Sequence, residues 1–347
     1  MKAATVVPGQ REAAGVSDIP EPVAGEGELL VDGLLCGVCG TDVEIATKGY
    51  GWLPPDADKL VLFHESLGRV RTAPDGSGFA PGDLVVGVVR RPDPQPCGAC
   101  ARGQWDFCLN GNYTERGIKQ RDGYGSTSWT LEADFAIKLD PGVGDLGVLT
   151  EPASVVAKAW EQAELIGKRA YYAPETALVT GAGPIGLLAA MLGVQRGLDV
   201  HVLDQVTDGL KPDLVHQLGA TYHHDLGNLG FSPDVVIECT GVGEVVFEAL
   251  QHTGRNAVTV LTGISGGKRS LSIPAGAIND ELVLENDVVV GSVNAALRNY
   301  QQAAEGLAKA DQDWLRRLIT RRVPLAKWAD ALTKQPDDVK VVVDLQA

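Results

Sequence analysis

The chain has 347 residues, enough for two domains, and its hydrophobic (44%) and charged (22%) fractions are those of an ordinary globular protein. Its formal net charge of −15 argues against nucleic acid and anionic membrane surfaces as partners. No apolar segment reaches ~18 uninterrupted residues, so no membrane span is expected. The strand-like run at residues 1–7 is too short for the apolar region of a secretory signal, and we predict a cytoplasmic protein.

The first part of the chain, residues 1–155, predicts a β-rich domain. Short β-branched and apolar runs alternate there with glycine and proline turn signals at residues 74–78 and 81–83. The runs lie at residues 1–7, 29–31, 60–62, 68–70, 84–89 and 135–137. This pattern is typical of a barrel-like domain.

Cysteines mark two candidate metal sites in this β-rich part. Five of the six cysteines fall into two clusters, Cys36/Cys39 and Cys97/Cys100/Cys108. In a cytosolic enzyme such clusters indicate metal binding or catalysis more often than disulfides.

Potential partners of Cys39 follow along the chain as His64-Glu65 and, at the end of the β-rich part, Glu151. Thiolate, imidazole and carboxylate are all zinc ligands, and three of them with an open fourth position are typical of a catalytic zinc. The alternative is a hydrogen-bonded core histidine and a buried cysteine that acts as a small hydrophobe.

A nucleotide-binding pattern follows. A helix, a strand, a glycine turn, a second helix and a second strand are predicted at residues 153–166, 177–180, 181–186, 187–194 and 200–203. This order and spacing are those of a dinucleotide-binding βαβ unit. Gly181 permits the tight turn, Gly183 allows the backbone to approach a pyrophosphate, and Gly186 permits close packing. The helix N-terminus then offers free N–H groups to the phosphates.

The residue that ends the second strand, Asp204, bears on the choice of cofactor. A carboxylate there accepts hydrogen bonds from the adenosine ribose hydroxyls and repels a 2′-phosphate, which favours NAD over NADP. The alternative is an acid that caps the next turn. Lys211 lies close enough along the chain to leave use of both cofactors open.

Further strands at residues 234–238, 257–261 and 288–291, with helical segments between them, predict a doubly wound parallel sheet. Ligands of such sheets bind beyond the carboxyl ends of the strands, so Thr240 and the segment Thr262-Gly263-Ile264 are expected to line the cofactor site; ordinary turn chemistry is the alternative. Helices at 297–309 and 314–319 and a strand at 341–343 complete the chain.

The chain resembles the zinc-dependent medium-chain dehydrogenase/reductase superfamily over nearly its full length. The resemblance depends on the order of three features, which are the β-rich part, Glu151-Pro152 and the glycine turn. Four segments, at residues 111–118, 122–125, 149–152 and 291–294, are similar to the glucose 1-dehydrogenase branch.

The resemblance implies an α/β protein in which residues 1–155 form a GroES-like catalytic domain. Residues 156–296 would form an inserted Rossmann NAD(P)-binding domain, and residues 297–347 would complete the catalytic domain. The active site is expected in the cleft.

The resemblance also assigns site residues. Cys39 and His64 match the zinc ligands, Glu65 matches an acid that ligates the metal or lies behind it, and Glu151 matches a residue that touches both zinc and sugar. Thr41 matches a hydroxyl in the substrate and proton-relay position. Glu115 and Asn294 match sugar-binding positions. The cofactor-binding set is Gly181, Gly183, Pro184, Ile185, Gly186, Asp204, Gln205, Thr240, Thr262, Gly263, Ile264, Ser292, Val293 and Asn294.

The expected reaction is oxidation of the anomeric hydroxyl of β-D-glucose to glucono-1,5-lactone, with Zn²⁺ and NAD, or else NADP, as cofactors. Two alternatives stay open: another zinc-dependent polyol or alcohol dehydrogenase, and a non-catalytic nucleotide-binding relative. A homodimer or homotetramer is expected by resemblance, and a β-run at residues 288–290 would suit pairing across a two-fold axis.

Two departures from the family pattern stand out. Phe63 occupies the position before His64 where the family usually has glycine, which puts the local turn in doubt. In the structural-zinc lobe, Pro94 stands where a fourth cysteine would precede Cys97, so Asp93 or Asp106 would have to supply the missing ligand, or the lobe binds no metal.

Overall fold

The structure is a computed structural model that describes residues 1–227, 229–265 and 270–347. The chain divides into two compact units, one formed by residues 1–151 with 295–347 and the other by residues 152–294. The functional domain limits expected from the sequence, after residues 155 and 296, stay a prediction. Within the described ranges, none of the helices combines the length and apolar character that crossing a membrane requires.

The strands are β1 Lys2–Val7, β2 Gln10–Asp18, β3 Glu28–Gly37, β4 Leu60–Val61, β5 Glu65–Thr72, β6 Leu84–Gly87, β7 Arg90–Arg91, β8 Thr114–Arg116, β9 Gln120–Arg121, β10 Ser128–Glu132, β11 Ala136–Lys138, β12 Thr176–Thr180, β13 Asp199–Leu203, β14 Thr221–His223, β15 Val235–Glu238, β16 Val258–Leu261, β17 Val288–Gly291, β18 Ile319–Pro324 and β19 Lys340–Asp344. The helices are α1 Gly40–Lys48, α2 Thr150–Gly167, α3 Pro184–Gln195, α4 Leu210–Gln217, α5 Gly243–Ala249, α6 Ala275–Leu284, α7 Leu297–Lys309 and α8 Gln312–Leu318. Short 3-10 segments lie at Cys100–Arg102, Trp105–Phe107, Ala133–Phe135, Pro141–Leu149 and Leu325–Leu332.

The first unit is built on a seven-stranded sheet in the order β11-β6-β5-β3-β19-β18, with β10 also paired to β3. Strand β3 alternates buried and partly exposed residues, the pattern of a strand with one face on a core. The last strand, β19, pairs antiparallel with β3, so that Val342 lies opposite Gly37. The C-terminal segment therefore completes the sheet begun by the N-terminal residues.

The second unit is a six-stranded parallel sheet in the order β14-β13-β12-β15-β16-β17. This is the strand order of a dinucleotide-binding doubly wound sheet, whose ligands bind where the order reverses, beside β12. The central strands are apolar and buried on both faces, as helices covering both sides of a sheet require. Helix α3 starts at Pro184, a residue whose fixed φ suits the first helical turn.

One helix near the metal ligands was not predicted. Helix α1 begins after Cys39, whose backbone N–H donates to the Asp42 carboxylate at 2.7 Å, and it ends at Lys48, before Gly49, which has a φ of 70°. An acid three residues after the N-cap and a glycine after the last turn are helix signals, so this helix could have been predicted from the sequence.

Candidate active site

Three of the predicted metal ligands come together in the first unit. Cys39 caps α1, His64 precedes β5, and Glu65 is the first residue of β5. One potential ligand atom from each lies within 4.8 Å of the other two. His64 and Glu65 are buried and Cys39 is half-buried. A thiolate, an imidazole and a carboxylate at this spacing are a donor set that suits zinc.

Asp42, which sequence reasoning missed, lies behind His64. Its Oδ1 is 3.4 Å from His64 Nδ1, and its Oδ2 accepts the N–H of Cys39. Burial lowers the pKa of His64, but the charge and hydrogen bonding of the fully buried Asp42 outweigh it, so that the pKa is raised well above its usual value. The Asp42 carboxylate faces Nδ1, which leaves Nε2 as the ligand atom.

Glu65 forms a buried ion pair with Lys340 of β19. Lys340 Nζ also donates to the carbonyl oxygen of Val38 at 3.1 Å. Burial lowers the pKa of this lysine, and Glu65 more than offsets the effect, so that the pKa is raised. Gly37 lies opposite Glu65 in the β3–β5 ladder, and a Cβ at Gly37 would overlap the Glu65 carboxylate.

Glu151 and Thr41 lie close to this group. Glu151 lies in the first turn of α2 and is buried, and burial raises its pKa to about 7. Glu65 raises that pKa further, whereas His64 and Lys340 lower it. Among the described residues, the ligand atoms that lie within 4.8 Å of one another here belong to Cys39, His64 and Glu65, and Glu151 is not in that group. Its role as a metal ligand therefore stays a prediction. Thr41 Oγ1 lies 3.8 Å from Cys39 Sγ.

The predicted sugar residue Glu115 is buried on β8 and paired with an arginine. Its Oε1 accepts from Arg90 Nε at 3.0 Å, and the Arg90 guanidinium lies 3.7 Å from the centroid of the Tyr113 ring. Two residues later, a Cβ at Gly117 would lie 2.8 Å from the carbonyl oxygen of Phe63. The Glu115 turn therefore packs directly on the backbone that precedes His64.

Phe63 forms the turn before His64 even though it replaces the glycine that the family usually has. It adopts a left-handed φ of 72°, a conformation that costs a non-glycine residue about 1–2 kcal/mol. Its ring is buried edge-on against Trp328 with centroids 5.6 Å apart, and its carbonyl oxygen accepts the N–H of Tyr124 at 2.8 Å. Gly123 packs so closely on the Phe63 carbonyl that a Cβ there would overlap it. Aromatic packing and neighbouring glycines thus hold the strained residue.

The second cysteine cluster also assembles. Ligand atoms of Cys97, Cys100 and Cys108 all lie within 4.8 Å of one another. Cys97 Sγ accepts backbone N–H groups of Cys100 and Leu109, which lowers the pKa of its thiol to about 6.

Neither candidate fourth ligand belongs to that group within the part of the chain that the structure describes. The two carboxylate oxygens of Asp93 accept from the Gln95 N–H and the Asn110 amide, each at 2.8 Å. Asp106 is buried beside Trp105. The three cysteines therefore present an incomplete ligand set.

The glycine turn of the second unit has the geometry that its spacing predicts. Gly181 has a φ of 89°, and its N–H donates to Leu203 O at 2.6 Å. The space around the Cβ position of Gly183, the N-cap of α3, is open. A Cβ at Gly186 would overlap the Gly181 carbonyl oxygen. Only glycine fits both ends of this turn, and its middle stays accessible to a phosphate.

A cavity of about 450 Å³ opens beside this turn. Its lining is Gly181, Gly183, Leu203, Asp204, Gln205, Lys211, His224, Asp225, Leu226, Cys239, Thr240, Val242, Val245 and Glu248. Five predicted cofactor residues are in this lining, and Lys211, His224 and Cys239 are among those that the site prediction left out.

Asp204 is already engaged by the protein. Its Oδ2 accepts from Ala182 N at 2.7 Å and from Lys211 Nζ at 3.1 Å, and its Oδ1 accepts from Val206 N. Partial burial raises the pKa of Asp204, but the N–H donors and Lys211 outweigh it, so that the pKa is lowered. The carboxylate is charged and lies beside a cation in the cavity wall.

The other predicted cofactor residues follow the carboxyl ends of neighbouring strands. Thr262, Gly263 and Ile264 follow β16, and Ser292, Val293 and Asn294 follow β17, where Asn294 has a φ of 60°. Glu238, missed by the sequence analysis, organises this edge: its fully buried carboxylate accepts from Thr240 N at 2.7 Å and Gly241 N at 3.0 Å.

Comparison with known proteins agrees with this architecture. The alcohol dehydrogenase GroES-like domain family matches residues 25–141. Together with the strand order of the second unit, this match defines the class, the zinc-dependent medium-chain dehydrogenases, and confirms the predicted α/β fold. The glucose dehydrogenase C-terminus family matches residues 144–345, and the chain belongs to the glucose dehydrogenase branch of that class.

Named relatives are similar over the full chain. Glucose 1-dehydrogenase of Methanocella arvoryzae is 36% identical in an alignment that covers 100% of both chains. Glucose 1-dehydrogenase 2 of Vulcanisaeta moutnovskia is 38% identical in an alignment that covers 99% of both chains. The structure of Haloferax mediterranei glucose dehydrogenase in complex with NADP, Zn and gluconolactone superposes with a TM-score of 0.91 at 31% identity, covering 100% of both chains.

Proposed function

We propose that this chain oxidises D-glucose at its anomeric carbon to glucono-1,5-lactone and transfers the hydride to NAD(P). The observation that carries the proposal is the Cys39–His64–Glu65 group in a chain of the glucose dehydrogenase family. The relative solved with NADP, Zn and gluconolactone supports the same substrate class.

Cys39, His64 and Glu65 would hold zinc, with Glu151 as a fourth donor, directly or through water. A zinc ion bound there supplies Lewis acidity, which lowers the pKa of the sugar hydroxyl. The protein's own contribution is orientation and charge balance: Asp42 fixes the His64 ring, and Lys340 neutralises Glu65.

The hydroxyl of Thr41, beside Cys39 Sγ, is placed to accept the proton that leaves the anomeric hydroxyl and pass it towards solvent. A nicotinamide bound in the second unit would supply the hydride acceptor for the anomeric C–H bond, and oxidation would turn the anomeric carbon into the lactone carbonyl. Because the cofactor would supply the hydride chemistry, the residues around it are expected to act by positioning.

Sugar recognition is assigned to Glu115, Glu151 and Asn294. Arg90 fixes the Glu115 carboxylate while leaving it able to accept sugar hydroxyls. A simple alcohol has no further hydroxyls for these polar groups to bind, which favours a polyhydroxylated substrate over a simple alcohol. Among such substrates, membership of the glucose dehydrogenase family favours an aldose over a polyol.

The dinucleotide would bind with its pyrophosphate at the N-terminus of α3 and its adenosine ribose at Asp204. NAD is proposed as the preferred acceptor because Asp204 is charged. Lys211 lies 3.1 Å from Asp204 Oδ2 and offsets part of the repulsion of a 2′-phosphate, so we propose NADP as a second acceptor.

Cytoplasmic location and a homodimer or homotetramer stay predictions. Strand β17 lies at one edge of the six-stranded sheet and keeps Val289 exposed, which suits the predicted pairing across a two-fold axis. Light scattering of the purified protein would measure the assembly.

The deciding experiment is the initial rate of nicotinamide reduction with β-D-glucose, with NAD and NADP side by side, before and after chelation. Chelator-sensitive oxidation of glucose is expected. The variant Cys39→Ala should lose turnover while it still binds NAD. Turnover on a polyol or simple alcohol but not on glucose would remove the sugar assignments of Glu115 and Asn294, and turnover by Cys39→Ala would refute the metal assignment.

A further inference from the structure

The turn after α1 displays two aromatic side chains on the first unit. Gly49 and Gly51 flank Tyr50 and have positive φ values of 70° and 111°, and Trp52 follows directly. Tyr50 and Trp52 keep 45% and 48% of their surface exposed. Their rings meet edge to face with centroids 5.6 Å apart. Two large rings exposed side by side, on a turn built with two left-handed glycines, indicate a binding surface.

The backbone of the turn is anchored at Trp52, so the two rings project from an ordered part of the chain. Trp52 N donates to the carbonyl oxygen of Ile118 at 2.9 Å, and Trp52 O accepts from Gln120 N at 2.9 Å. A Cβ at Gly51 would lie 3.1 Å from Ile45 Cγ1, so this glycine is packed against the helix that it follows. Aromatic side chains on an anchored backbone have few rotatable bonds, so they lose little conformational entropy when a ligand binds.

The anchored turn is continuous with the proposed sugar residue Glu115. Lys119 Nζ lies 5.9 Å from the centroid of the Trp52 ring and 4.2 Å from that of Tyr113. Tyr113 in turn lies against the guanidinium of Arg90, which pairs with Glu115. Aromatic faces and charged groups thus alternate from Trp52 to Glu115.

This alternation matches the chemistry of a pyranose ring. Its axial C–H groups form an apolar, weakly electropositive face that packs on the negative face of an aromatic ring. Its equatorial hydroxyls point sideways and need charged or polar partners such as Lys119. A glucose unit at Glu115 that carries a second ring on its far side would direct that ring away from the reacting carbon.

We propose that Tyr50 and Trp52 form a second sugar subsite, which binds the non-reducing ring of a reducing disaccharide while its reducing glucose unit is oxidised. The proposal rests on the proposed function. The chemistry is the same: the anomeric carbon loses a hydride to NAD(P) and its hydroxyl loses a proton. The glycosidic bond stays intact, so the product is the disaccharide lactone.

The first test compares kcat/KM for cellobiose, maltose and glucose in the wild type, Trp52→Ala and Trp52→Phe. The wild type is expected to oxidise at least one of the two disaccharides. Trp52→Ala should lower the disaccharide-to-glucose ratio of kcat/KM about tenfold, equivalent to about 1.4 kcal/mol. Trp52→Phe should retain most of the ratio because it keeps an aromatic face. Tyr171→Ala, at a ring that is 91% exposed in the other unit, is the matched control and should leave the ratio unchanged.

Binding is measured separately by saturation-transfer NMR with cellobiose. Protons of the non-reducing ring should receive saturation in the wild type and lose it in Trp52→Ala. If glucose is oxidised but neither disaccharide is, or if Trp52→Ala leaves the ratio unchanged, the subsite is refuted and the proposed function stands. If glucose is not oxidised but the non-reducing ring is saturated through Trp52, the proposed function fails and the subsite stands.

Discussion

Lys340, on the last strand of the chain, forms a buried ion pair with Glu65, one of the proposed zinc ligands. The register of β19 on β3 brings the lysine to this position, since Val342 lies opposite Gly37 and Gly37 opposite Glu65. The C-terminal segment therefore supplies a cation to the metal group as well as a strand to the sheet. The pair balances an acid that would otherwise be buried without compensation whenever zinc is absent.

Replacing the lysine tests this charge balance. Lys340→Met is expected to lower the free energy of unfolding of the zinc-free protein by about 3–5 kcal/mol, because it leaves a buried carboxylate uncompensated. Urea unfolding followed by tryptophan fluorescence measures the loss. The control is Lys138→Met, which breaks a surface pair with Asp83 and should cost below about 1 kcal/mol.

Adding Glu65→Gln to Lys340→Met should restore part of the lost stability, since it removes the charge left behind. Equal losses for the Lys340 and Lys138 variants would contradict a buried ion pair.

Asp42 is expected to set zinc affinity through His64. Asp42→Asn keeps the shape of the side chain and an acceptor for the Cys39 N–H. It removes the negative charge that faces His64 Nδ1. Loss of such a partner typically costs about 10–100-fold in metal affinity, and we expect this range here. Competition with a chromophoric chelator measures it. Glu44→Gln, on the exposed side of the same helix, is the control; an unchanged affinity for Asp42→Asn would show that the contact is only structural.

Local signals were enough to predict the parts of the fold that depend on them. The glycine turn, the helix predicted at residues 187–194 and found at Pro184–Gln195, and the helix Leu297–Lys309 all follow from spacing along the chain. The proposed ligands Cys39 and His64 could also be predicted from the sequence, because their residue types and order are informative by themselves.

The tertiary partners of other site residues could not be predicted. Lys340 meets Glu65 only through strand register, and Arg90 meets Glu115 only through the β7–β8 pairing. Phe63 broke a local rule, and the glycines that accommodate its turn, Gly117 and Gly123, lie far along the chain. Such compensation depends on tertiary contacts rather than on sequence pattern.

The ion pairs of Glu132 predict that the protein loses stability in acid. It accepts from Arg91 Nη2 and Arg121 Nη1, each at 2.7 Å, and Arg116 lies 3.8 Å away. Burial raises the pKa of Glu132, but Arg91 and then Arg121 more than offset it, so that the pKa falls to about 2 from the usual 4.5. The stabilisation is therefore complete above the unfolded value near 4.5 and is lost as the pH falls towards 2.

The variant Glu132→Gln isolates this effect. Its stability should lie about 1 kcal/mol below that of the wild type at neutral pH, a value reduced by solvent screening of a partly exposed group. The gap should narrow below about pH 5, as urea midpoints at stepped pH would show. A gap that stays constant down to about pH 3 would mean that Glu132 has an ordinary pKa.

Cofactor choice should respond in opposite directions to changes at Asp204 and Lys211. Asp204→Ser removes the charge that repels a 2′-phosphate, so the NAD-to-NADP ratio of kcat/KM should fall about tenfold or more. Lys211→Met removes the cation 3.1 Å from Asp204 Oδ2, so the ratio should rise. Asp208→Ser, exposed between them in the chain, is the control. A shift in the same direction for both variants would contradict the assigned roles.

Gly37 and Gly40 offer a matched pair for the metal group. A Cβ at Gly37 would overlap Glu65 Oε2 and lie 2.9 Å from Lys340 Cε, whereas the Cβ position of Gly40 is open. Gly37→Ala should displace the Glu65 carboxylate, lower zinc affinity and lower the melting temperature of the zinc-free protein. Gly40→Ala should be neutral or stabilising by up to about 1 kcal/mol, since alanine favours the helix. Equal effects at both positions would show that the close approach of Gly37 does not position Glu65, and the charge balance set by Lys340 would then depend on strand register alone.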